Sequence, residues 1–76
     1  MNLEQAKLKS AEFGREVRRH EKANDIATTV RLCEEWMVLR DEFVSAHAKA
    51  EITEAYTKGY NSGQPEEPQT LLEEQQ

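Results

Sequence analysis

A chain of 76 residues suffices for one small domain, whose core alone supplies little net stability. The usual staples are excluded: Cys33 is the single cysteine, so no intrachain disulfide can form, and no Cys/His spacing suits zinc. Association is the remaining route, so a homo-oligomer or an obligate protein partner is expected.

Charged residues make up 33% of the chain, with only three Gly and two Pro, a composition that favours helix. The opening residues, Met1–Lys9, are polar and lack the apolar run of a signal peptide. No stretch approaches the roughly 20 apolar residues of a membrane span, so a soluble, cytoplasmic protein is expected. The net charge of −5 is unevenly spread: residues 1–40 carry eight Lys/Arg against seven Asp/Glu, and residues 41–76 carry two against eight. That balance argues against a chain that binds nucleic acid along its whole length.

The first predicted element is a helix over about Asn2–Ala23. Leu3, Ala6, Ser10, Phe13, Val17 and His20 recur with the three-four spacing of an inward stripe. Asn2 suits the N-cap, Glu4 the first turn, and Arg18, Arg19 and Lys22 the last turns. Gly14 costs about 1 kcal/mol relative to Ala inside a helix and reads as a tolerated defect. The alternative is a close approach by another backbone, aided by the small Ser10 and Ala11 nearby.

Asn24–Asp25 marks a break, since both side chains bond nearby backbone and favour turns and caps. The phase of the apolar stripe changes across it. Continuing the first stripe would place Ala27, Arg31, Glu34 and Val38 inward, whereas the apolar positions that follow are Leu32, Trp36 and Leu39. A tight turn explains the change, and a skip within one long coiled coil is the other possibility.

The second helix is expected from Ile26 to Gly59, a C-cap candidate, with a seam at Leu32, Trp36, Leu39, Phe43, Ala46 and Ala50. A second row, Ile26, Val30, Cys33, Met37 and Val44, runs beside it. Two rows require more than one neighbour, and the Leu3, Leu8, Phe13 and Val17 side chains of helix one cannot cover both. The longer helix overhangs the first by roughly 18 Å at 1.5 Å per residue, and the overhang carries Ile52, Ala55, Tyr56 and Tyr60. It either lies on another chain or folds back near Glu51–Thr53 as a short third helix.

The expected fold is therefore all-α: a helical hairpin over residues 1–60 that associates into a helical bundle or coiled-coil dimer. Its interface would draw on Phe13 and Val17 from helix one and on Val30, Leu32, Cys33, Trp36, Met37, Leu39 and Phe43 from helix two. Ile52 and Tyr56 in the overhang complete it. Trp36 serves as core and as interface anchor at once in such a dimer. Residues 61–76 change character: Asn61–Pro68 reads as a polar linker and Thr70–Glu74 as at most one helical turn, a flexible acidic tail or a short docking peptide using Leu71 and Leu72.

Candidate chemistry is sparse. His20 and His47 are the only histidines, and His20-Glu21 begins a helical metalloprotease pattern that fails because Asn24 stands where the second histidine belongs. The Glu-x-x-His pattern of carboxylate-bridged metal sites is absent from the sequence. No catalytic residue, metal or cofactor is expected, and an enzyme is not.

Arg15, Arg18, Arg19 and Lys22 share one helix face and could contact phosphate or an acidic partner, although Glu12, Glu16 and Glu21 can pair with them. The acids from Glu34 onward, Glu34, Asp41, Glu42, Glu51 and Glu54 with Glu66, Glu67, Glu73 and Glu74 of the tail, could imitate a phosphate backbone or simply confer solubility. Arg40 and Lys49 interrupt them.

No motif specific to one family is present. As a class, a hairpin that pairs into a bundle is similar to small plasmid and phage regulatory proteins. The brevity, acidity and lack of a catalytic motif look like phage accessory proteins that bind and inhibit a host protein. The expected function is a non-enzymatic, homodimeric interaction module or regulator. The alternative is a small nucleic-acid-associated regulator using the basic face of helix one.

Overall fold

The computed structural model describes residues 1–62, which form three helices: α1 (Leu3–Lys22), α2 (Ile26–Asp41) and α3 (Ala46–Ser62). The tail expected over residues 63–76 lies outside the described residues. The chain is all-α among the described residues.

Helix α1 begins where expected. The Asn2 side chain accepts the Gln5 N–H at 2.8 Å, and the Gln5 side chain accepts the Asn2 N–H at 3.0 Å, so two otherwise unpaired donors satisfy each other's residues. Ala6, Ser10 and Val17 of its inward stripe are buried; Leu3, Phe13 and His20 are half-buried. Leu8 points outward, 70% exposed, and covers neither neighbour.

The turn after α1 follows from two short polar side chains. Asn24 adopts φ 64°, the left-handed region that asparagine tolerates best after glycine. The Asn24 N–H then donates to Glu21 O at 3.0 Å and the Asp25 N–H to His20 O at 2.8 Å, which closes the helix end. Asp25 starts α2 by accepting the Thr28 N–H at 3.3 Å.

Helix α2 does not continue to Gly59. It ends at Asp41, and the chain reverses through Glu42–Ser45 before α3. The fold-back therefore lies some residues before the expected Glu51–Thr53. Its cause is Ser45, whose hydroxyl accepts the His47 and Ala48 N–H groups at 3.1 and 3.3 Å and so caps a new helix. Lys49 Nζ reaches back to the Arg40 carbonyl at 3.4 Å and lies 3.6 Å from the Asp41 carboxylate, tying α3 to the end of α2. The expected seam is cut accordingly. Leu32, Trp36 and Leu39 face inward from α2 and Phe43 packs from the turn, but Ala46 and Ala50 are exposed on α3.

Helix α1 packs against both other helices, whereas α2 and α3 meet over a short stretch. The α1–α3 crossing is close because two glycines meet it. A Cβ on Gly14 would lie 2.2 Å from the Tyr56 carbonyl oxygen, and one on Gly59 would lie 2.1 Å from that of Ala11. Gly14 is thus a point of backbone approach rather than a tolerated defect. Gly59 is buried within α3 rather than capping its end. The core around this crossing is Ala6, Trp36, Leu39 and Ile52, with Leu3, Phe13, Phe43 and Tyr56 packed on it.

Candidate interaction surface

The residues expected at an interface separate into two sets. Val17, Trp36, Leu39 and Ile52 are buried within the single chain, and Phe13, Leu32, Cys33, Phe43 and Tyr56 are half-buried. Val30 and Met37 instead lie on an outward row of α2. In that row Ile26, Val30 and Met37 are 59%, 50% and 47% exposed, with half-buried Cys33 between them. The spacing of four, three and four residues keeps them on one face. Val44, placed in the same row by sequence, falls in the turn and is 93% exposed.

The inward side of α2 is built around Trp36. Its indole stacks on the Tyr56 ring, with centroids 4.3 Å apart, and the Arg40 guanidinium lies 5.3 Å from the indole centroid. Cys33 Sγ lies 3.8 Å from the Tyr56 hydroxyl. Burial, followed by the hydrogen bond to Cys33, raises the Tyr56 pKa, so the phenol stays protonated. Arg40 Nε is shielded from solvent without a hydrogen bond, 3.5 Å from Asp41 Oδ1. Helix α2 thus contacts α1 through one edge and α3 through Trp36 and Cys33, and leaves Ile26, Val30 and Met37 of its outward row exposed.

The basic face of α1 is less uniform than its spacing suggests. Arg15, Arg19 and Lys22 are exposed, but the Arg18 guanidinium lies 4.9 Å from the Tyr60 ring centroid and Arg19 pairs with Glu16. Glu21 accepts a hydrogen bond from the Tyr60 hydroxyl, which raises the Tyr60 pKa. No sequence pattern signals that Tyr60–Glu21 contact, because the partners belong to different helices.

The acids of the second half do not form a continuous ladder. Glu51 is held between Lys7 at 3.2 Å and His47 at 2.8 Å, Asp41 lies beside Arg40 and Lys49, and Glu54 lies 3.8 Å from Lys58. The Lys7 hydrogen bond, then its charge, lowers the Glu51 pKa. His20 lies 3.2 Å from Asp25 and 3.7 Å from Glu16.

Two shallow grooves open to solvent. One, lined by Arg40, Ala46, Lys49, Ala50, Thr53 and Glu54, runs along α3. The other lies between α1 and α2, with Phe13 and Leu32 among Lys9, Glu12, Glu16 and Glu35. Among the described residues no three His, Cys, Asp or Glu side chains converge as metal ligands. No helix there is long and apolar enough to cross a membrane. Comparison with protein-family models, with curated proteins and with solved structures finds no match.

Proposed function

We propose that this chain is a small non-enzymatic interaction module that pairs with a second copy of itself as a helical bundle and presents its charged outer faces to a protein partner. The observation behind this reading is the outward row of α2, Ile26, Val30, Cys33 and Met37, with its three outer members about half exposed. A helix that is apolar on more than one face is ordinarily covered on more than one face. This chain covers only the Trp36–Leu39 side.

The small internal core supports the same reading. Two of its six buried apolar residues, Ala6 and Ala48, are alanines. Each alanine contributes a single methyl, so the chain gains comparatively little from its own burial. The identical row on a second copy would add an uncharged, self-complementary contact with coiled-coil spacing.

Sedimentation velocity at micromolar concentration tests the pairing. A dimer is expected for the native chain, and Val30→Glu/Met37→Glu is expected to run as a monomer with its helical circular dichroism retained, since both side chains lie outside the core. A monomeric native chain overturns the reading.

A further inference from the structure

The apolar seam that begins on α2 runs straight through the turn before α3. Leu32, Trp36, Leu39, Phe43, Ala46 and Ala50 keep the four-three spacing of one continuous helix, and no Gly or Pro stands between Ile26 and Lys58. The reversal over 42–45 is held by the Ser45 cap on His47 and Ala48, and by Lys49 against the Arg40 carbonyl and Asp41. It leaves Val44 93% exposed, and Ala46 and Ala50 open on the groove along α3. By contrast, α3 is fixed to α1 along much of its length, through Lys7–Glu51, the Gly14–Gly59 crossing and Tyr60 beside Arg18 and Glu21.

We propose that two copies of this chain exchange α3. The 42–45 turn straightens, α2 and α3 join as one helix about 55 Å long over 26–62, and each α3 packs on the α1 of the other copy. The α1–α3 contacts and the Trp36–Tyr56 stack re-form between copies, because the receiving α1 and α2 stay together. The bonds of the turn are lost, and the backbone N–H groups of 44–47 gain the carbonyls of 40–43 instead. Where the two straightened helices pass each other at the two-fold axis, Ala46 and Ala50 gain cover that the closed chain lacks.

The closed and exchanged forms therefore differ chiefly at the hinge, and mass action decides between them. Exchange requires α3 to leave α1, so a dimer formed at high concentration persists on dilution. This pairing does not rest on the outward row of α2, because Ile26, Val30 and Met37 lie outside the exchanged contacts.

Val30→Glu/Met37→Glu protein, in which the α2 faces cannot pair, tests the exchange. An equal mixture of unlabelled and nitrogen-15-labelled chains, refolded together at about 1 mM, should yield a dimer that survives dilution to about 10 µM. Carbodiimide joins Lys7 to Glu51, whose side chains lie 3.2 Å apart. In the dimer about half of these links should join a labelled to an unlabelled peptide, and in the monomer none should. No dimer, or a dimer without mixed Lys7–Glu51 links, overturns the proposal. Ser45→Ala removes the cap from the closed form alone, once per hinge. In the same background it should lower the dimer dissociation constant at equilibrium about thirtyfold, and an unchanged constant overturns the assigned hinge. A monomeric native chain at micromolar concentration overturns the α2 pairing and leaves these outcomes as they stand.

Discussion

The indole N–H of Trp36 donates to the Ser10 hydroxyl across 2.9 Å, and both residues are buried. It is a polar bond placed inside the α1–α2 contact, where either partner left alone would be desolvated. Ser10→Ala is expected to destabilise the fold by about 1–3 kcal/mol, because the indole N–H loses its acceptor. Ser10→Ala/Trp36→Phe is expected to cost less than the two single changes together, since the double variant leaves no orphan. Urea unfolding of the four proteins checks the sign of that coupling.

The glycine crossing gives a prediction opposite in sign to helix propensity. In an isolated helix, Gly→Ala gains about 1 kcal/mol. Here the new methyl meets backbone carbonyls, which cannot rotate away. Gly14→Ala and Gly59→Ala should each lower stability by about 1–3 kcal/mol or more, read as a fall in thermal midpoint. A rise in midpoint would mean that α1 and α3 do not cross at these residues.

The reversal between α2 and α3 depends on one hydroxyl. Ser45→Ala removes the acceptor for the His47 and Ala48 N–H groups and should cost about 1 kcal/mol. Ser45→Asp, which keeps an acceptor and adds a negative charge at the α3 N-terminus, should restore that loss. Chemical denaturation of the pair distinguishes a cap from a mere surface position.

Stability should fall in acid through two carboxylates. Asp25 is lowered from 3.8 by hydrogen bonds from Thr28, and Glu51 from 4.5 chiefly by its hydrogen bond to Lys7. Both folded values lie below the unfolded ones, so their contribution is complete above the ordinary values and is lost as pH falls through the folded values. Glu51→Gln should flatten the acid slope of the thermal midpoint.

At the alkaline end the sign reverses. Tyr60 is raised from 10.0 by its hydrogen bond to Glu21, so its contribution is complete below 10.0 and is lost as pH rises through the folded value. Tyr60→Phe should remove that part of the slope. Equal slopes for variant and native chain would argue against either contact.

Much of α1 and the first turn is legible in sequence, because its determinants are local. Asn2, Asn24 and Asp25 act on backbone groups within five residues, and the Leu3–His20 stripe has an unbroken period. The second turn is not legible in the same way. Ser45 in a run without Gly or Pro reads as an ordinary helical residue, and its role depends on Phe43 turning into the core and Lys49 reaching the end of α2. Gly14 is a similar case. Its cost as a helix residue can be read locally, but its purpose is set by Gly59, which approaches from another helix. The outward row of α2 is visible in the spacing of Ile26, Val30, Cys33 and Met37. Its exposure is not, because that depends on where α3 lies.

The two glycines also act as a gauge of alignment. If α3 slid along α1 by one turn, Ala55 would come to the place of Gly59, and its methyl would strike the Ala11 carbonyl that now admits a bare hydrogen. Neighbouring alignments of α3 on α1 are therefore penalised by sterics. A chain with so few large core residues gains from this a single way of closing, which volume-filling contacts alone would leave degenerate.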